Sequence, residues 1–138
     1  MKAVYFQCAA GISGDMTLGA LVDAGADWEK LNTYLKELHL PAYLTKEAVM
    51  KQGIRATFVK VVYQDERVHR KLSDIIKIID SANLPLTVKN QALAVFTNLA
   101  KAEAKVHCVD INEVHFHETG AIDAIFDILG SLLCLYLL

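Results

Sequence analysis

Residues 43–63, YLTKEAVMKQGIRATFVKVVY, contain two extended segments on either side of a turn. In the second segment Thr57, Val59 and Val61 alternate with the residues between them, and a period of two is typical of a β-strand. The tripeptide at 51–53, Lys-Gln-Gly, separates the two segments and ends in a glycine. This pattern predicts a β-hairpin with strands at 43–50 and 55–63 joined by a three-residue turn.

Helical patterns lie on both sides of this hairpin. Before it we expect a short buried strand at 4–8, a glycine turn at 11–14, a helix at 15–24, and a helix at 28–38 capped by Asp27. After it we expect a polar loop at 64–71, then helices at 74–80, capped by Ser73, and at 87–107. Asp110 begins a capping box for a short turn, and a last helix starts near Gly120. The fold class is therefore α+β: one domain over residues 1–138, with a sheet of about three strands and a helical C-terminal half.

The composition indicates a folded protein of the cytoplasm. The chain has 138 residues, 54% of them apolar, and a net charge of −2. A core of useful size is therefore expected, whereas a nucleic-acid surface would need clustered basic residues. Cys8, Cys108 and Cys134 form no C-x-x-C pair, which favours reduced thiols, and Cys8 at the end of the first strand should be an inert core residue.

The last eleven residues, 128–138, are apolar and uncharged. This length cannot cross a bilayer, so no membrane contact is expected. A helix that is apolar nearly all round must nevertheless be covered. We therefore expect the chain to be part of a longer protein, or half of an assembly or oligomer.

Histidines and carboxylates are concentrated between positions 115 and 127. In extended backbone the imidazoles at 115 and 117 point to the same side, whereas two acids four residues apart share one face of a helix and repel unless a cation lies between them. Imidazole and carboxylate suit borderline divalent metals. The predicted metal ligands are His115, His117, Glu118, Asp123 and Asp127, with His107 as a weaker candidate on the inward stripe of the long helix. The alternative is that the acids line a wet helix edge, the histidines make ordinary hydrogen bonds, and His107 is a core residue.

Two segments could hold an anion. A glycine turn between a strand and a helix offers backbone N–H groups and a helix N-terminus, although Asp15 would repel a phosphate unless a cation intervenes. A basic loop precedes the helix at 74–80. The candidate phosphate contacts are Gly11, Gly14, His69, Arg70 and Lys71. The alternatives are an ordinary tight turn and a solvated loop.

Three blocks together carry a family resemblance: GISGDM at 11–16, RKLSDI at 70–75 and EVHFHETGAID at 113–123. In this order, and over nearly the whole chain, they resemble the N-terminal part of the LarC-type nickel insertion proteins. The most specific block is the last one. The family usually has a run of histidines before the second block, whereas residues 63–69 here contain only one.

The resemblance implies insertion of nickel into pyridinium-3,5-bisthiocarboxylic acid mononucleotide, which makes the nickel-pincer cofactor of lactate racemase. It implies a CTP-dependent lyase-type enzyme whose CTP, with manganese or magnesium, binds to a C-terminal part, and a chain that is inactive without that part. Ser13 and Asp15, in the first block, are the catalytic candidates. The alternative is a non-catalytic metal-binding or structural module that docks on the C-terminal part through the apolar last helix.

Overall fold

The computed structural model describes residues 3–64, 68–116 and 121–138. Nine helices and strands and one short 3₁₀ turn are assigned to these residues. In chain order they are α1 (Gly14–Asp23), α2 (Trp28–Lys36), β1 (Ala42–Lys51), β2 (Ile54–Tyr63), β3 (Arg70–Lys71), α3 (Leu72–Ser81), α4 (Leu86–His107), the 3₁₀ turn (Ile111–Glu113), β4 (His115–Phe116) and α5 (Ile122–Leu137). The predicted α+β class with a helical C-terminal half is confirmed.

The predicted hairpin is present, and its turn is shorter than expected. β1 and β2 pair antiparallel, and the register includes Lys51 opposite Ile54. Only Gln52 and Gly53 are left to make the turn, with φ angles of 49° and 80°. A two-residue turn with positive φ at both positions matches the right-handed twist of the strands. The three-residue turn was wrong because Lys51 continues the strand.

The predicted strand at 4–8 is not formed. These residues are irregular and exposed, and within the described residues no strand pairs with them. The third and fourth strands are instead β3 and β4, a short antiparallel pair that places Arg70 opposite Phe116 and Lys71 opposite His115. An apolar segment becomes a strand only when another strand supplies hydrogen-bond partners. Cys8, expected in the core, is exposed as a consequence.

The capping residue predicted for α2 is confirmed, whereas the one predicted for α3 is wrong. The Asp27 carboxylate accepts a hydrogen bond from the Lys30 backbone N–H at 3.0 Å, and this bond is the main cause of its lowered pKa. α3, however, begins at Leu72 with Lys71 in the capping position. Ser73 lies inside the helix, and Asp74 does the capping instead: its carboxylate accepts from the Lys71 backbone N–H at 2.9 Å.

α5 is the central helix of the molecule. It contacts α1, α2, α4 and β2, and its buried residues lie on more than one face: Ile122, Ile125, Phe126, Leu129, Gly130, Leu133 and Cys134. The chain itself therefore covers much of this helix, and the buried part of α5 alone does not require an outside partner. Leu135 and Tyr136, in the last turn, are 44% and 51% exposed. No helix among the described residues is long and apolar enough to cross a membrane.

The hairpin packs on the helices through its buried residues Leu44 and Val59. β2 lies along α1, and β1 contacts α2, where the Lys46 Nζ atom lies 4.7 Å from the centre of the Trp28 ring. α4 contacts both α5 and α3. This arrangement brings the glycine turn, the first turn of α5 and the hairpin to one region of the molecule.

Candidate functional site

The candidate site forms where α1 begins against α5. A Cβ atom at Gly14 would lie 2.6 Å from the Asp127 Cβ atom and still closer to its carboxylate. Glycine at position 14 therefore allows the acid of α5 to lie directly against the first turn of α1. A larger residue would have to displace one helix from the other, because the Cβ of Asp127 is fixed by the backbone of α5.

Asp15 and Asp123 are near enough to Asp127 for their charges to act on it, and we call these three residues the acid cluster. One oxygen of Asp127, Oδ1, is buried and has no hydrogen-bond partner among the described residues. Burial is the largest cause of a raised pKa of Asp127, and the negative charges of Asp15 and Asp123 add to it, giving a value of about 6. An unpaired buried oxygen among like charges is costly, and a bound cation would remove that cost.

Ser13 and Asp15 are joined by a hydrogen bond. The Ser13 hydroxyl donates to the Asp15 carboxylate, and the Ser13 carbonyl accepts from the Thr17 hydroxyl at 2.8 Å. Ser13 occupies the N-cap position of α1, yet its side chain makes no capping bond to the helix backbone. The hydroxyl therefore orients a carboxylate of the acid cluster.

The histidine block is only partly described. His115 is exposed on β4, whereas Phe116 is buried and packs edge-on against Phe96 with ring centres 6.5 Å apart. One exposed and one buried side chain at neighbouring positions agree with the expected extended backbone. The predicted ligands His117 and Glu118 lie outside the described residues.

His107 does not face inward as predicted. It is exposed in the last turn of α4, where its Nε2 atom lies 3.2 Å from the Glu103 carboxylate. The buried stripe of α4 ends at Ala100, and Val106 is 77% exposed. The helical period was correct, but the helix extends beyond the core that it covers.

The basic segment at 69–71 is not a loop as expected. Arg70 and Lys71 form β3 beside the histidine block, and Arg70 is buried. His69 and Arg70 both interact with neighbouring groups. At the other predicted anion position, the Asp127 carboxylate already lies against Gly14. The charges around Gly14 therefore favour a cation over a phosphate.

Within residues 3–64, 68–116 and 121–138, no group of three or more His, Cys, Asp or Glu side chains is close enough to hold a metal ion. Residues 117–120, directly before α5, belong to none of these ranges. The described residues therefore supply only the carboxylates of the acid cluster and His115. The other two predicted ligands, His117 and Glu118, lie outside the described residues.

Beside the acid cluster lies a cleft that the sequence pattern did not indicate, with a volume of about 780 Å³. It lies between α1 and the end of the hairpin, and Asp15 lines it. On one wall the Asp23 carboxylate accepts a hydrogen bond from the Thr57 hydroxyl at 2.6 Å and lies 3.7 Å from the Arg55 guanidinium. These residues are 34 and 32 positions from Asp23 in the chain, too far for spacing to reveal.

The fold and site define a small α+β protein domain with a carboxylate cluster at a helix–helix contact. The nickel insertion protein family matches residues 4–138, and the chain belongs to this family. It is 53% identical over 134 residues to the pyridinium-3,5-bisthiocarboxylic acid mononucleotide nickel insertion protein of Desulfitobacterium hafniense, a match that covers 96% of this chain and 33% of that protein.

Two further relatives show the same partial coverage. A putative nickel insertion protein of Dictyoglomus thermophilum is 46% identical, with 100% of this chain and 36% of the relative covered. The pyridinium-3,5-bisthiocarboxylic acid mononucleotide nickel insertion protein of Akkermansia muciniphila is 45% identical, with 100% and 36% covered. The chain thus spans about a third of the length of these relatives. No solved structure matches it significantly.

Proposed function

We propose that this chain is the N-terminal domain of a protein that inserts nickel into pyridinium-3,5-bisthiocarboxylic acid mononucleotide. Its own task is to hold the nickel substrate at the acid cluster and present it to the organic substrate. Membership of the nickel insertion family and the names of the relatives support this role.

The observation that carries the proposal is the convergence of Asp15 with Asp123 and Asp127. The charges of Asp15 in α1 and Asp123 in α5 act on Asp127, and an oxygen of Asp127 is buried without a partner among the described residues. A divalent cation at this position would satisfy the oxygen and neutralise the repulsion that raises the pKa of Asp127. Without a cation, the arrangement costs free energy.

His115, His117 and Glu118 complete the ligand set in this proposal, and His107 is the weakest candidate because it is exposed and paired with Glu103. A mixed imidazole and carboxylate site suits a metal that must be released again, in contrast to a closed four-thiolate site. Ser13 and Asp15 are the proposed catalytic pair. Ser13 orients the Asp15 carboxylate, which either binds nickel or accepts a proton as nickel replaces hydrogen on the substrate.

The remaining parts of the proposal concern the whole protein. A C-terminal part, in the same chain or in a second one, binds CTP with manganese or magnesium, and the product is the nickel-pincer cofactor of lactate racemase. We infer a lyase-type enzyme of the cytoplasm that works as an oligomer, with the present chain inactive alone. For the substrate phosphate, His69, Arg70 and Lys71 are candidates, whereas Gly11 and Gly14 could contribute only with a cation between the phosphate and the acid cluster.

The test is a nickel titration of the chain by calorimetry at about pH 7.5, where the ligands are deprotonated. We expect Asp127→Asn, which keeps the shape of the side chain, to weaken nickel binding at least tenfold. The double variant His115→Ala/His117→Ala should weaken it as well. Asp80→Asn, at an exposed acid of α3, is the matched control and should bind nickel like the parent chain.

No nickel binding by the parent chain, or equal affinity in Asp127→Asn and Asp80→Asn, would remove the acid cluster from the proposal. Circular dichroism of each variant shows whether the fold is retained. Loss of binding in the double histidine variant alone would place nickel on the histidine block and away from the acid cluster.

A further inference from the structure

The cleft between α1 and the hairpin combines an apolar floor with charged groups of both signs. Met16, Val49 and Phe58 supply apolar surface, and Met16 and Phe58 are 58% and 38% exposed. Lys51 and Arg55 supply positive charge at the hairpin end, and Asp15, Asp23 and Glu47 supply negative charge. A volume of about 780 Å³ falls within the range of small-molecule sites.

Small residues border this cleft where α1 meets β2. α1 lies so close to β2 that a Cβ atom at Gly19 would collide with the Thr57 carbonyl oxygen. The next residue, Ala20, adds only a methyl group to the cleft wall. The small residues therefore fix the separation of helix and strand, while the larger Met16 and Phe58 line the opening.

The charges are held in place on one wall. Asp23 accepts a hydrogen bond from the Thr57 hydroxyl and forms an ion pair with the Arg55 guanidinium. Asp15 is also a lining residue, and its charge contributes to the raised pKa of Asp127. The cleft therefore opens next to the acid cluster, with its cations at the hairpin end.

We propose that this cleft binds the pyridinium mononucleotide, with the ring against Phe58 and Met16 and the phosphate at Lys51 and Arg55. This inference rests on the proposed function. An aromatic face and a flexible thioether suit a flat ring, the neighbouring carboxylates suit its positive charge, and the two cations suit the phosphate. The thiocarboxylate groups on the ring would then face Asp15 and the nickel held there.

Two basic regions could bind the phosphate of the mononucleotide, the hairpin end and the segment at 69–71, and the structure favours the hairpin end. Arg70 is buried, whereas Lys51 and Arg55 are exposed on the cleft. The phosphate therefore belongs at the hairpin, and the segment at 69–71 supports the histidine block through the pairing of β3 with β4.

The experiment is a titration of the nitrogen-15-labelled chain with nicotinic acid mononucleotide, followed by NMR. This probe has a pyridinium ring, a ribose phosphate and one carboxylate. We expect amide shifts in α1 and β2, and weaker binding in Phe58→Ala by about tenfold, since the variant removes the aromatic face on which the ring stacks. Ribose 5-phosphate, which lacks the ring, should bind more weakly and should be insensitive to Phe58→Ala.

Matched variants locate the two ends of the probe. Lys51→Gln should weaken binding several-fold, whereas Lys60→Gln, on the same hairpin but outside the cleft, should not. Tyr43→Ala removes another exposed aromatic residue of the hairpin and should also leave binding unchanged. Lys71→Gln is the test of the competing basic region and should have no effect.

Absence of binding by the parent chain, shifts confined to other elements, or a larger effect of Lys71→Gln than of Lys51→Gln would overturn the proposal. These results are separable from the nickel titration. Normal nickel binding without mononucleotide binding contradicts only the cleft assignment, whereas mononucleotide binding in a chain that does not bind nickel contradicts the function proposed for the acid cluster.

Discussion

At the scale of single residues, Asp127 makes the stability of the protein depend on pH. Burial, and then the charges of Asp15 and Asp123, raise its pKa from 3.8 to about 6. Between these two values the folded protein keeps a proton that the unfolded chain has lost. This proton stabilises the fold fully below about pH 4, and the stabilisation disappears as the pH rises through 6.

We therefore predict that the metal-free chain is more stable at about pH 5 than at about pH 7.5. The full rise in pKa corresponds to about 3 kcal/mol between about pH 4 and about pH 7.5, and about half of it falls above about pH 5. Since Asp127 is partly exposed, we expect about 1 kcal/mol or less between the two pH values. The measurement is urea unfolding at both pH values. Asp127→Asn should lose most of this difference, whereas Asp80→Asn should retain it. If the parent chain is more stable at about pH 7.5 than at about pH 5, when compared with Asp127→Asn, the raised pKa of Asp127 is contradicted.

The three cysteines differ in burial. Burial raises the pKa of Cys134 to about 12, so this thiol stays protonated and inert in α5. Cys8 and Cys108 are exposed. Cys8 lies just before the glycine turn, where its carbonyl accepts a hydrogen bond from the Gly11 N–H at 3.0 Å. The sequence assigned Cys8 to the core because it assigned a buried strand to residues 4–8.

At the scale of secondary-structure elements, α5 has two roles. Its apolar residues fill the core, and its first turns carry Asp123 and Asp127. An acid on a central helix is held in position by packing on several sides. This fixed position explains why Asp127 keeps an unpaired oxygen where an exposed side chain would turn toward water.

Two leucines of α5 provide a matched test of the central packing. Leu129 is fully buried, and Leu135 is 44% exposed. Leu129→Ala should lower the free energy of unfolding by about 3 kcal/mol, because it removes apolar contacts and leaves a cavity. Leu135→Ala should lower it by less than about 1 kcal/mol. Both values come from urea unfolding. Similar losses would mean that the last turn of α5 is as well packed as its centre.

At the scale of the whole molecule, nickel binding and folding should be coupled. The acid cluster joins α1 to α5, so a cation bound there connects two elements that are far apart in the chain and are united only by folding. A ligand that binds only the folded state stabilises it by an amount that grows with its free concentration.

We predict that nickel at about a hundred times its dissociation constant stabilises the chain by about 2.7 kcal/mol at about pH 7.5. For a domain of this size the gain corresponds to a rise in Tm of about 5–10 °C. Scanning calorimetry with and without nickel measures it, and a chelator should reverse it. Asp127→Asn should show a much smaller rise. An equal rise in both proteins would place the bound nickel away from the acid cluster.

The sequence by itself determined the class of fold, the hairpin, most helices and the family. Alternation over residues 55–63 and the cap at Asp27 are local signals, and local backbone preferences decide them. The sequence also identified the acids at 15, 123 and 127 as candidate site residues, although spacing along the chain could not show how Asp15 is placed relative to Asp127. Three predictions from the sequence were wrong: a strand at residues 4–8, an inward-facing His107 and a loop at 69–71. In each case the structure depends on which distant residues pack against the segment.

Only the tertiary structure decided which residues act together. Asp15 and Asp127 are separated by more than a hundred positions, and they meet because Gly14 lets α5 lie against the start of α1. The cleft likewise depends on the close contact of α1 with β2 at Gly19. Burial and the charges of distant residues give Asp127 its raised pKa. These are properties of packed surfaces, and residue spacing along the chain does not encode them.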